Sequence, residues 1–219
     1  MDGCIVLTLL IIAGVAYANF AEGVFGAWAA FVMTVLSGII AFSFFEPLAG
    51  ILEPMFANSV LGGYEDGVAL VAVFCGSYGI MRTIINSISA RRFEYHALVD
   101  QIGGAVVGTL TGYILSGFVI AMLQTLPWEE QFWGFRPVSQ DTDTGGGRKY
   151  FPPDRVWLNL VNKSTGPSGF LGGTTMPFDP DGSFEVRYFR HRRFTEERPP
   201  QPYAGEFYEL SRASSGDDS

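Results

Sequence analysis

Residues able to do chemistry are sparse in this chain, and their spacing decides what they can do. A catalytic centre needs a nucleophile, an acid–base pair or a metal cluster. The two histidines, His96 and His191, flank the last long apolar run and cannot meet in one site. Cys4 and Cys75 lie in apolar segments, without a second ligand at metal spacing, and read as small core residues. The patterns HExxH, CxxC and GxSxG do not occur. Ser37, Ser43, Ser77, Thr109 and Thr111 have no His, Asp or Glu close in sequence, so they are expected to bond their own helix or a neighbour. Asp141 and Asp143 begin like a calcium loop, but the central glycine and final glutamate are misplaced. No catalytic residue, cofactor site or metal site is assigned, and the expectation is a protein that is not an enzyme.

Transport chemistry would require ionisable groups at membrane depth, paired or lining a cavity. The apolar middles of the long runs hold none. Thr8, Tyr78, Thr109, Thr111, Tyr113 and Ser116 are the polar groups there. They could line a narrow path, although packing contacts are the simpler use. A proton-coupled pump is disfavoured, while a passive or mechanically gated pore stays open.

The elements that position these groups are apolar helices. Of the 219 residues only 16% are charged, against about 25% in a soluble domain. Up to Leu126 the only Lys or Arg residues are Arg82, Arg91 and Arg92; the rest follow Pro127, with most of the prolines. This division implies a membrane half and a water-soluble tail. A net charge of -8 excludes nucleic acid as a partner, since phosphate binding needs concentrated positive charge.

Crossing the hydrocarbon takes roughly 17–25 helical residues. Runs from Gly3 to Phe20, Val24 to Phe45, Gly67 to Ile85 and Ile102 to Leu126 qualify, which predicts four spans. Ala16-Tyr17-Ala18 resembles a signal-peptidase site, but the chain opens with Met1-Asp2-Gly3 rather than positive charge, so the first run is kept as a helix. Asn19 to Gly23 is too short to leave the interface and predicts a tight hairpin. Between the second and third runs, apolar residues from Leu48 to Phe56 recur at helical spacing, with Pro47 able to open a turn and Pro54 interrupting. Both a short surface helix and a loop packed on the bundle fit. Arg82 must sit near a helix end or snorkel, because an arginine at the bilayer centre costs about 2.5–3.5 kcal/mol. The connection carrying Arg82, Arg91 and Arg92 is placed inside, and Glu46 to Asp66, with four acids and no Lys or Arg, outside. Both termini are then expected outside.

Within the last run, Gly104, Gly108 and Gly112 repeat every four residues and Ser116 continues the step. Four-residue spacing puts small side chains on one helix face, where a second helix can approach closely. Asp100 precedes this ladder by the same step. Gly23 and Gly26 lie in the hairpin sequence AEGVFGAW, Pro47-Leu48-Ala49 follows the second run, and Leu126-Pro127-Trp128 leaves the fourth. On these elements residues 1 to 128 resemble the colicin V production protein (CvpA) family. The resemblance implies a multi-pass inner-membrane protein with a role in producing or exporting a peptide toxin, or more broadly in envelope maintenance. It brings no catalytic chemistry. The chain departs from the family in carrying Glu22, Gln101 and Thr111 where arginines are common.

The remainder reads as tail. Residues 129–150 are polar and glycine-rich, a linker. Residues 151–195 read as a small soluble or surface-docked segment. Asp154 is a candidate N-cap for a short helix with Val156, Trp157, Leu160 and Val161 on one face, stopped by Gly166-Pro167. Asn162-Lys163-Ser164 matches a glycosylation acceptor but falls inside that helix. A turn at Asp179 to Gly182 then leads into SFEVRYFRHRRF, read as a strand, whose Arg187, Arg190, His191, Arg192 and Arg193 form a basic cluster that is either solvated or set against anionic lipid. Residues 196–219 have a disordered composition.

The expected whole is an all-α integral membrane bundle of four transmembrane helices with a small mixed, partly disordered C-terminal tail. Its partners are the lipid bilayer, other membrane or envelope proteins, and further copies of itself. The leading expectation is a component of an envelope-maintenance or toxin-export assembly in the bacterial inner membrane, with its tail periplasmic. A small channel or solute-transport subunit, and an anchor presenting a partner-binding tail, are the alternatives. Gly104, Gly108, Gly112, Ser116, Gly23 and Gly26 are assigned to helix packing. Arg82, Arg91, Arg92, Asp100 and Trp128 are assigned to topology and the interface.

Overall fold

The computed structural model describes residues 3–56, 63–88, 97–127 and 152–166, together with Phe178, Phe184 and Tyr188. The expected linker at 129–150, the tail at 196–219, Arg91, Arg92 and Trp128 lie outside the described residues. Four helices can be given bounds among the described residues: α1 (Gly3–Phe56), α2 (Glu65–Ile88), α3 (Ala97–Gln124) and α4 (Pro153–Thr165). No strand occurs among the described residues. Three of the helices, α1 to α3, are long and apolar enough to cross a membrane.

α1 is 54 residues long and leaves helical geometry at one residue, Gly23 (φ 81°, ψ 175°). Its course against α3 shows that the chain reverses there. Rising along α3, Gly104 meets Asn19, Gly108 meets Ala16 and Gly112 meets Ile12, so residues 3–22 run antiparallel to it. Residues 24–56 run parallel to it: Val24 lies against Gly103, and the ring of Phe42 sits 5.8 Å from that of Phe118. The two legs form a hairpin, and the connection is shorter than expected. Asn19 to Glu22 stay helical, because glycine alone supplies the conformation the reversal needs.

The second leg also runs longer than expected. It continues through Pro47 and Pro54 to Phe56, so no separate surface helix or loop begins at Glu46. A proline inside a helix removes one backbone donor and crowds the preceding turn. Membrane helices tolerate this where neighbouring groups satisfy the freed carbonyls. α2 starts beside the exit of α3, where Gly67 packs on Leu126, and ends beside the hairpin, where Arg82 reaches Glu22.

The distribution of side chains is that of a protein dissolved in lipid. Leu10 and Val106 are about two-thirds exposed, at 66% and 65%, while Ser37 and Ser116 are fully buried. In water that arrangement would be costly. Buried or exposed, the hydroxyls are satisfied locally, as expected. Ser43, Ser77, Thr109 and Thr111 each donate to a carbonyl four residues back, at 2.7–2.9 Å. Ser37 reaches across to the Met81 sulfur at 3.8 Å.

α4 packs into the bundle. Trp157 and Val161 are completely buried beside Phe42, Phe45 and Phe118. Two glycines make room: a Cβ at Gly38 would collide with the Trp157 ring, and one at Gly117 with the Pro153 carbonyl and the Trp157 Cβ. Asp154 is not the N-cap. That position is Pro152, without a side-chain cap, since Pro153 at the helix start leaves no amide proton to satisfy. Asp154 lies buried in the first turn and accepts a hydrogen bond from the Gln124 amide at 3.2 Å. The expected strand is also corrected. Phe184 and Tyr188 are helical, with ring centroids 4.8 Å apart. In a strand, residues four apart are separated by roughly 13 Å.

Candidate functional site at the helix hairpin

The sequence features singled out above converge at the reversal. Asp100, in the first turn of α3, accepts a hydrogen bond from the Val24 backbone N–H at 2.9 Å. Val24 opens the second leg of α1, so the Asp100 carboxylate caps a helix other than its own and places negative charge at its positive end. Gly23 allows this approach. A Cβ there would overlap the carboxylate, and its positive φ is one that L side chains rarely adopt. Gly103 is equally constrained by Val24.

The ladder carries the contact onward. A Cβ would come within 2.5 Å of the Asn19 carbonyl at Gly104, 2.8 Å of the Asn19 Cβ at Gly108 and 2.7 Å of the Ile12 Cα at Gly112. Asp100, Gly104, Gly108 and Gly112 thus act on the first leg and its turn as one four-step surface. Ser116, the next step, is fully buried and donates to the Tyr113 carbonyl at 2.7 Å. Gly26 is different: a Cβ there would meet the Glu22 side chain at 3.1 Å, a neighbour along α1 rather than another helix.

Beside the hairpin, Arg82 forms a two-pronged contact with Glu22, at 2.8 and 3.4 Å. Both side chains are more than a third exposed, at 37% and 41%. The carboxylate therefore gives the Arg82 guanidinium a partner at the hairpin end of the bundle. In sequence, Glu22 appeared only as a departure from a family pattern. Antiparallel spans bring the end of the first and the end of the third to the same side, which was the available signal for the pair.

Behind this ion pair lies a cavity of about 360 Å³. Both legs of α1, α2 and α3 contribute to it. Its polar lining comprises Asn19, Thr34, Tyr78 and Thr111, with Glu22 and Arg82; Val15, Ala18, Phe74 and Leu115 are among its apolar walls. Tyr78 stacks on Phe74, with centroids 6.0 Å apart. Asn19 and Thr34 were not singled out from sequence, because one polar residue in an apolar run does not reveal which way it faces. No cluster of His, Cys, Asp and Glu able to hold a metal occurs among the described residues.

A lipid-facing apolar exterior, a helical hairpin and small-residue contacts define an integral membrane protein of helical-bundle type. A family model described as Colicin V production protein matches residues 5–137, and the chain belongs to that family. No curated protein and no solved structure matches the chain.

Proposed function

We propose that the protein is a non-enzymatic, four-span inner-membrane component of an envelope-maintenance or peptide-export assembly. Its membership of the colicin V production family carries this reading. The reversal at Gly23 supports the span count, because it lets α1 supply two of the four crossings. The charge distribution supports an arginine-bearing side facing the cytoplasm and a periplasmic tail. Cysteines introduced at Ser87 and Glu53, in a chain lacking Cys4 and Cys75, test this orientation. In intact spheroplasts an impermeant thiol reagent should label position 53 and spare 87; the reverse inverts the topology. Crosslinking followed by pull-down from native membranes tests the assembly. Envelope or secretion proteins recovered in defined crosslinks support it, and a chain crosslinked only to itself argues against it.

The cavity behind Glu22 and Arg82 favours a second reading, a solute- or ion-conducting subunit. Protein reconstituted in liposomes should then pass ions or small solutes at rates above protein-free vesicles. Flux unchanged by the protein removes this reading.

A further inference from the structure

We propose that α4 is the plug of a conducting path that begins in the cavity behind Glu22 and Arg82. This plug presupposes the conducting reading above and assigns its regulation. Three segments that line the cavity continue to the seat of Trp157. On the second leg of α1, Thr34 lines the cavity, and Gly38, one turn further from the hairpin, faces the Trp157 ring. On α3, Leu115 lines the cavity, and Gly117 and Phe118 lie against Trp157. On α2, Phe74 lines the cavity, and Leu70, one turn further, is fully buried in the cluster that holds Trp157. At 1.5 Å per residue, Thr34 lies roughly 16 Å and Gly38 roughly 22 Å from the reversal at Gly23. The cavity therefore reaches about the middle of a hydrocarbon layer of about 30 Å, and Trp157 occupies the turn beyond it.

Aromatic rings join the two. Phe74 stacks on Phe118 with centroids 4.4 Å apart, and Phe118 stands edge-on to Trp157 at 5.9 Å. The use of glycine changes at this level. Gly104, Gly108 and Gly112 bring α3 against the backbone of the first leg, whereas Gly38 and Gly117 make room for α4. Here the tail helix, not a membrane helix, fills the space, and its withdrawal would add the volume of a fully buried indole to the cavity. Beyond Gly117 polar groups return. Gln124 and Thr125 are buried, and Gln124 donates to Asp154 of α4 at 3.2 Å. The order from the hairpin is polar, aromatic, polar, and an apolar constriction between polar stretches shuts a pore by excluding water. Glu22 and Arg82 offset each other at the mouth, so the path suits small ions of either sign. The helix is able to leave: Arg155, Asn159 and Lys163 on its other face are exposed, which suits it to the aqueous boundary once undocked.

The test uses the full-length protein in vesicles of phosphatidylethanolamine and phosphatidylglycerol loaded with potassium chloride. Wild type should release potassium slowly, because α4 seldom leaves its seat. Trp157→Ala should raise the rate about tenfold or more. Val156→Ala, at an exposed position of the same helix, should keep the wild-type rate. Trp157→Leu, which keeps an apolar side chain of smaller size, provides the same test if Trp157→Ala does not fold. To locate the path, Thr34→Cys is combined with Trp157→Ala in a chain lacking Cys4 and Cys75. A bulky thiol reagent attached at position 34 should then return the rate towards that of wild type. Equal rates for Trp157→Ala and a conducting wild type overturn the plug and leave the conducting reading standing. A raised rate that modification at position 34 does not lower is leakage outside the path and also overturns the plug. No release from either wild type or variant removes the conducting reading, and the plug with it.

Discussion

Replacing Gly23 and Asp100 singly and together tests the hairpin. Gly23 has φ 81° and ψ 175°, a region that costs a residue with a Cβ about 1–3 kcal/mol. Alanine there would also drive its methyl into the Asp100 carboxylate and displace it from the Val24 N–H. Losing a cap of this kind costs about 0.5–2 kcal/mol. Gly23→Ala should therefore lose the strain and the cap together, roughly 1.5–5 kcal/mol. Asp100→Ala should lose the cap alone, about 1 kcal/mol. In the double variant the cap can be lost only once. Its loss should match that of Gly23→Ala and fall short of the sum by about 1 kcal/mol, a coupling within the usual range for residues in contact. Reversible unfolding in mixed micelles, followed by helical circular dichroism, gives the three values. Full additivity would show that Gly23 and Asp100 act separately, and the Asp100 cap would not depend on the reversal at Gly23.

Gly108→Leu should lower the melting temperature in detergent, because a side chain there meets Asn19 and Ala16 at 2.8 and 3.0 Å, whereas Val106→Leu, at a position 65% exposed, should change it little. Equal melting temperatures would remove the packing role of the ladder. Trp157→Ala should cost about 3–5 kcal/mol of docking, as large buried aromatics do, and should speed tryptic cleavage at the exposed Arg155 and Lys163 in membranes. Unchanged cleavage rates would mean that α4 is held by something else. Glu22→Arg or Arg82→Glu alone should destabilise, and the two combined should recover most of the loss; because the pair is more than a third exposed, its net contribution is at most roughly 1 kcal/mol. A swapped protein no better than either single variant would deny the pairing.

Much of the bundle was legible in the sequence because lipid leaves few alternatives: long apolar runs become helices, and small residues at four-residue spacing mark where helices meet. The ladder from Gly104 to Gly112 was readable for that reason. Its partner was not, since periodicity identifies a face without saying what covers it. Asp100 stood in the right register, but the hydrogen bond to Val24 spans 76 residues and has no local signature. Pro47 and Pro54 misled in the other direction. A proline is a strong stop signal in water, and here the second leg passes through both. In the tail, alternation from Ser183 onward imitated a strand, while the fourfold spacing of Phe184 and Tyr188 carried the helical signal. Asn19 was invisible as a cavity residue, because the cavity exists only where four segments meet.

The seating of Trp157 between Gly38 and Gly117 has a consequence for how the bundle is completed during synthesis. The stretch matched by the family ends at residue 137, and Trp157 is translated only after α1, α2 and α3 have been synthesised. Until then the faces at Gly38 and Gly117 have no indole between them, and Phe42 lacks its edge contact with Trp157 at 6.0 Å. The membrane helices can insert early, but their final closure waits for the C-terminal segment, which acts as a keystone. A relative without such a segment has to close the same space from within, with larger side chains where this chain has hydrogen at positions 38 and 117. The size of those two residues should therefore vary together with the presence of an aromatic-bearing helix beyond the last span.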